Sequence, residues 1–102
     1  MDTKEEGVDK MAVVTKRRDR HNIVAEILKA ARGGDLMTHV MFKANLSYSQ
    51  LCKYLILLLE KGFLENTTIE QETKTQIMYR TTKKGIRFLV LSESLDKIWG
   101  PQ

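Results

Sequence analysis

The chain has 102 residues, of which 42% are apolar; that suits one domain around one modest core and is too apolar for a disordered chain. A net charge of +4 and a pI near 9.3 lean towards an anionic partner. A lone cysteine, Cys52, excludes an internal disulfide and fits a reducing cytoplasm, no apolar run is long enough to span a membrane, and the polar start shows no secretory signal.

Residues 1–16 read as a flexible tail, with Asp2, Glu5, Glu6 and Asp9 against Lys4 and Lys10 and few large apolar side chains. The charge then reverses. Lys16, Arg17, Arg18, Arg20, Lys29 and Arg32 face only Asp19 and Glu26 across residues 16–32. A first helix is expected from near Asp19, because Ile23, Val24, Ile27, Leu28 and Ala31 repeat at the spacing of one buried face. Gly33-Gly34 should stop it.

A short helix follows over about 37–44, with Val40 and Met41 turned inward. Asn45 tolerates the left-handed backbone of a sharp turn. Ser47 and Gln50 then have the S-x-x-Q spacing of a capping box, with Leu46 and Leu51 placed as a hydrophobic staple. The capped helix runs over 47–61 and ends at Gly62. Advancing 100° per residue puts Tyr48, Leu51, Leu55, Leu58 and Leu59 on one face, with Cys52 at its edge. Ser49, Gln50, Lys53 and Leu57 lie on the other side, with Ile56 between; Ile56 and Leu57 are the apolar exceptions on an otherwise small or polar outer surface.

Two short strands are expected at 63–69 and 76–81, rich in Thr, Ile, Phe and Tyr, around a loop at 70–75. Thr82 caps a last helix reaching about Ile98, with Gly100-Pro101 ending it. That helix has two apolar faces. Ile86, Leu89 and Val90 form one, and Phe88, Leu91, Leu95, Ile98 and Trp99 form the other at the 3-4-3 step of a coiled-coil seam. The first packs on its own domain, and the simplest cover for the second is the same helix of another copy.

Helix, turn, capped helix and hairpin in this order form a winged helix-turn-helix. The expected class is mainly α with a small β-hairpin (α+β), divided into the tail at 1–16, a DNA-binding domain at 17–82 and a C-terminal dimerisation helix at 83–99.

The sequence also resembles a family, the small archaeal winged helix-turn-helix proteins that include archaellum-regulator-like domains and Sulfolobus small chromatin proteins. The resemblance is carried by Arg17-Arg18-Asp19-Arg20 leading into 23–31, by Met41-Phe42-Lys43-Ala44-Asn45-Leu46-Ser47-Tyr48, by the Leu-rich stretch 51–63 and by Thr81-Thr82-Lys83-Lys84-Gly85. It implies a symmetric dimer through the last helix and double-stranded DNA as ligand. The chain departs from the family at His39, where a basic residue is common, and in a last helix shorter than the long coiled coil of some members. Its hairpin carries Glu65, Glu70 and Glu72 against Lys74, which argues against a wing that grips phosphates.

Ser49 and Lys53 are the expected groove contacts, with Lys43 and Ser47 on phosphate and Gln50 constrained by the capping box. Tyr48 is assigned to the core rather than to a base. Arg17, Arg18 and Arg20 would neutralise phosphates or reach into a minor groove. No catalytic pair, metal-ligand spacing, cofactor motif or small-molecule site is legible, and His21 and His39 are read as having no carboxylate at ligand spacing. The expectation is therefore a cytoplasmic, nucleoid-associated DNA-binding homodimer acting as a transcriptional regulator. An architectural chromatin role and a winged helix used only for protein docking are the alternatives.

Overall fold

The computed structural model describes residues 19–99, of which Trp99 is described in its backbone alone. The expected tail at 1–16, Arg17 and Arg18, the Trp99 side chain and the Gly100-Pro101 stop lie outside the described residues. Helices α1 (Arg20–Ala30), α2 (Met37–Ala44), α3 (Tyr48–Glu60) and α4 (Lys83–Trp99) combine with strands β1 (Asp35–Leu36), β2 (Leu64–Glu70) and β3 (Thr75–Thr81). The strands make one antiparallel sheet in the order β1-β3-β2. This is an α+β winged helix with an added C-terminal helix.

Local chemistry explains most boundaries. Asp19 accepts a bond from the Asn22 backbone at 2.8 Å and starts α1. Asn45 sits at φ 56°, ψ 54°, with Asn45 N–H on the Phe42 carbonyl and Leu46 N–H on Met41, so the chain reverses sharply after α2. Both halves of the capping box form: Gln50 N–H donates to Ser47 Oγ, and Ser47 N–H donates to Gln50 Oε1. Leu46 and Leu51 are both buried, as the staple requires. At the far end, Gly62 at φ 78° lets Phe63 N–H reach the Leu58 carbonyl and Gly62 N–H reach that of Leu59, a Schellman stop.

The core gathers one face from every helix. Ile27, Leu28, Val40, Leu51 and Leu58 are fully enclosed, with Ala31, Ala44, Leu55, Leu64 and Leu89 around them. Each large aliphatic side chain buried there stabilises the fold by about 1.5–3 kcal/mol relative to exposure. Thr81 and Thr82 join the sheet to the helices. Thr81 Oγ1 donates to the Leu28 carbonyl at 2.6 Å, and Thr82 Oγ1 donates to the Gly62 carbonyl at 2.6 Å while accepting from Gly85 N–H at 3.1 Å. The start of α4 is thereby fastened to the end of α3, as is Lys84 through its bond to the Lys61 carbonyl.

Four expectations are corrected. Tyr48 is 65% exposed, although its wheel angle is shared with buried Leu55; sharing a direction with a core residue about two turns away does not bring the core to it. Val90 is exposed, leaving Ile86 and Leu89 as the inner face of α4. Leu57 is half-buried rather than open. A strand absent from the sequence reading, β1, pairs Asp35 with Tyr79 and Leu36 with Met78.

Candidate nucleic-acid interface

The outer side of α3 is where the predicted groove contacts meet. Ser49 and Lys53 are exposed, one helical turn apart, on the side away from buried Leu51, Leu55 and Leu58. Ser49 Oγ lies 3.5 Å from Ser47 Oγ, and Lys53 makes no ion pair among the described residues. Gln50 uses its carbonyl oxygen in the capping box, which leaves its amide N–H groups as donors for a ligand.

Arg20 comes to this surface from a distant part of the sequence. It lines a cleft of about 550 Å³ together with Gln50, Lys53, Tyr54 and half-buried Leu57. Arg20 and the outer face of α3 are therefore adjacent, not merely both present. No periodicity could have shown this, because 29 or more sequence positions separate Arg20 from the α3 residues of the cleft.

Lys43 is held differently. Its Nζ lies 2.6 Å from Asp35 Oδ2, and His39 Nδ1 lies 2.7 Å from Asp35 Oδ1. Lys43, then His39, then the Leu36 backbone N–H hold the Asp35 carboxyl well below the usual carboxylate range. The reading that His39 has no carboxylate at ligand spacing is thus corrected: Asp35 stands four residues earlier on the same side. The three side chains make one hydrogen-bonded set centred on the Asp35 carboxylate, and no group of three metal-ligating side chains occurs among the described residues.

On the opposite flank of α3, Tyr48, Cys52 and exposed Ile56 form an apolar stripe beside β3. The Cys52 thiol beside the Tyr48 hydroxyl pushes that phenol up, and burial does the same to Tyr79. Beyond it the hairpin tip, residues 71–74, is closed by Gln71 N–H on the Lys74 carbonyl, with Glu65, Glu70 and Glu72 all exposed. The wing is acidic on its surface as well as in its composition.

The α4 face contains Leu91, Leu95 and Ile98 at 61%, 49% and 79% exposure. Phe88, expected in the same set, is half-buried and stacks on Phe63 at 5.4 Å between centroids. Its other neighbour is His21, at 5.1 Å. Phe63, Phe88, Leu91 and Leu95 line an apolar groove of about 440 Å³ whose rim carries Lys84 and Arg87. No helix among the described residues is long and apolar enough to cross a membrane.

Comparison with known proteins gives four findings. A family profile described as winged helix-turn-helix matches residues 17–99. An uncharacterized protein of the archaeon Methanocaldococcus jannaschii is 31% identical over 98 residues; these cover 95% of this chain, which spans 43% of that relative's length. Among solved structures, Sso10a-2, a DNA-binding protein from Sulfolobus solfataricus, matches with a TM-score of 0.70 at 27% identity, over 79% of this chain and 81% of that one. Diamide-treated YodB of B. subtilis shares the fold, with a TM-score of 0.62 at 17% identity over 85% and 82% of the two chains.

Proposed function

The chain belongs to the winged helix-turn-helix family, and on that premise we propose that it is a double-stranded-DNA-binding homodimer that regulates transcription, with α3 in the major groove. The observation that carries this reading is the outer face of α3. It is capped, offers Ser49 and Lys53 without ion-paired partners among the described residues, and has Arg20 at its side. The likeness to a DNA-binding archaeal protein supports it.

In this reading residues 17–82 contact DNA and residues 83–99 join two copies, through Leu91, Leu95 and Ile98 with Phe88 and Trp99. Arg17 and Arg18 extend the phosphate-binding run begun at Arg20. Lys43 and Ser47 flank the groove contacts, Lys43 from within its ion pair with Asp35. The protein acts in the cytoplasm on the nucleoid. The wing contributes little, because its acidic groups repel phosphate.

An electrophoretic shift on random duplex, repeated across salt, tests the reading: binding should weaken steeply as salt rises. Replacing Glu70 and Glu72 with Gln should leave affinity unchanged or raise it. A chain that retards no duplex at low salt would refute the proposal. The exposed Ile56 and Phe42 would then favour protein docking instead. A genome-wide binding map separates regulator from chromatin packer, by narrow peaks or broad coverage.

A further inference from the structure

We propose that the cleft between the first turn of α1 and the outer flank of α3 is a clamp for one DNA backbone phosphate, with Arg20 and Lys53 as its two cations. The inference rests on the DNA-binding reading above and gives it a register. A groove-facing helix needs a fixed point on the sugar-phosphate backbone before its other side chains can meet particular bases.

The cleft has the chemistry for this task. Arg20 and Lys53 come from different helices and face the same space of about 550 Å³. Neither has an acidic partner among the described residues, whereas Lys29 pairs with Glu26 and Lys43 with Asp35. Among the described residues no carboxylate lines the cleft. The Gln50 amide nitrogen is left to donate once its oxygen is bound by Ser47 N–H. Tyr54 is the fourth polar side chain on the wall, and half-buried Leu57 lines the same space. An anion with several oxygens matches two cations and two neutral donors; a base edge, which mixes donors and acceptors, does not.

The assignment changes what Lys53 does. Lys53 then positions α3 along the duplex, and Ser49, on the neighbouring strip of the helix, is left nearer the bases. Both cations act on one phosphate, so their effects must be coupled.

The test uses the full chain with Arg20→Gln, Lys53→Gln, the double variant and Tyr54→Phe, each checked for native circular dichroism. Affinity for a random duplex and for a duplex selected in vitro is measured by fluorescence anisotropy across salt. Each single charge removal should weaken both duplexes alike but lower the salt slope by less than about 0.9 per bound protomer, because the remaining cation still neutralises the phosphate. The double variant should lower the slope by about 0.9 in all, because only one phosphate is involved. Tyr54→Phe should weaken binding about 3- to 10-fold with the slope unchanged, since it removes a donor and no charge. Lys53→Arg should retain the wild-type slope.

A slope that falls by about 0.9 in each single variant and about 1.8 in the double variant, as two separate phosphates require, or a loss at Lys53→Gln confined to the selected duplex, would overturn the clamp while leaving DNA binding intact. Failure of the unmodified chain to bind any duplex would overturn both readings. Inorganic phosphate, titrated at constant ionic strength while the Gln50 side-chain amide is followed by NMR, distinguishes the source. Saturation by free phosphate at concentrations that do not compete with duplex would place the site off the DNA and reject the assignment.

Discussion

Gly85 decides how α4 meets the rest of the domain, and Gly85→Ala tests that directly. Gly85 lies buried in the first turn of α4. An added Cβ there would collide with the Phe63 carbonyl oxygen and come within 2.6 Å of Thr81 Cγ2. Two terms oppose each other. Replacing Gly by Ala inside a helix stabilises by about 1 kcal/mol through propensity. Overpacking against groups that cannot move without backbone shift costs about 1–3 kcal/mol. The colliding oxygen belongs to backbone already bonded to Thr82 N–H at 3.0 Å. Moving α4 away would also stretch the Thr82 Oγ1 bonds to the Gly62 carbonyl and from Gly85 N–H. One of these bonds weakened adds roughly 0.5–1.5 kcal/mol. The collision therefore wins, with a net loss of about 0.5–3.5 kcal/mol and a Tm lower by roughly 4–8 °C per kcal/mol for a domain of this size. Gly33→Ala is the matched control, because a Cβ at Gly33 meets nothing within 4 Å. It should be neutral or stabilise by about 0.4–1 kcal/mol through the unfolded chain. Urea melts at one protein concentration read both changes from the midpoint at constant m. A Gly85→Ala variant as stable as Gly33→Ala would show that α4 is not held against Phe63 as described.

Leu91→Glu with Leu95→Glu should give a folded monomer in sedimentation equilibrium. Scaling about 2 kcal/mol for full burial by their 61% and 49% exposure leaves about 1 kcal/mol each, counted twice in a two-fold interface, so dimer affinity should fall about 1,000-fold. If the unmodified chain is already monomeric at micromolar concentration, the α4 interface is wrong. Ser47→Ala removes one arm of the capping box and should cost about 0.5–2 kcal/mol in a urea melt; an unchanged midpoint would show that the cap contributes nothing. Asp35 has its carboxyl held down by Lys43 and His39, so its contribution is present above the unfolded carboxylate pKa of about 3.9 and is lost as pH falls through the lower folded value. Asp35→Asn should be less stable than wild type at neutral pH and lose less on acidification below pH ~4, measured by thermal melts across pH. Parallel curves for the two proteins would contradict this assignment.

Features set within about one helical turn were open to a reading of the residues alone. Ser47 and Gln50 each bond the other's backbone, Asn45 and Gly62 are the residue types that accept a positive φ, and Thr82 caps the helix it precedes. Four helices and the hairpin follow from such local chemistry with little help from the rest of the chain, and so does the repeated leucine face of α3. The tertiary structure decided what depends on neighbours distant in sequence. Two-residue β1 exists only because β3 offers it a ladder, and no two residues carry a period of their own. Tyr48 and Leu55 share a helix angle, yet only Leu55 is covered, because a wheel records direction and not where the core ends. Phe88 is drawn from its predicted seam by the ring of Phe63, which a different element supplies. The candidate site follows the same division: the outward direction of Ser49 and Lys53 is a property of one helix, whereas the cleft that sets Arg20 beside Lys53 arises only when α1 packs near α3.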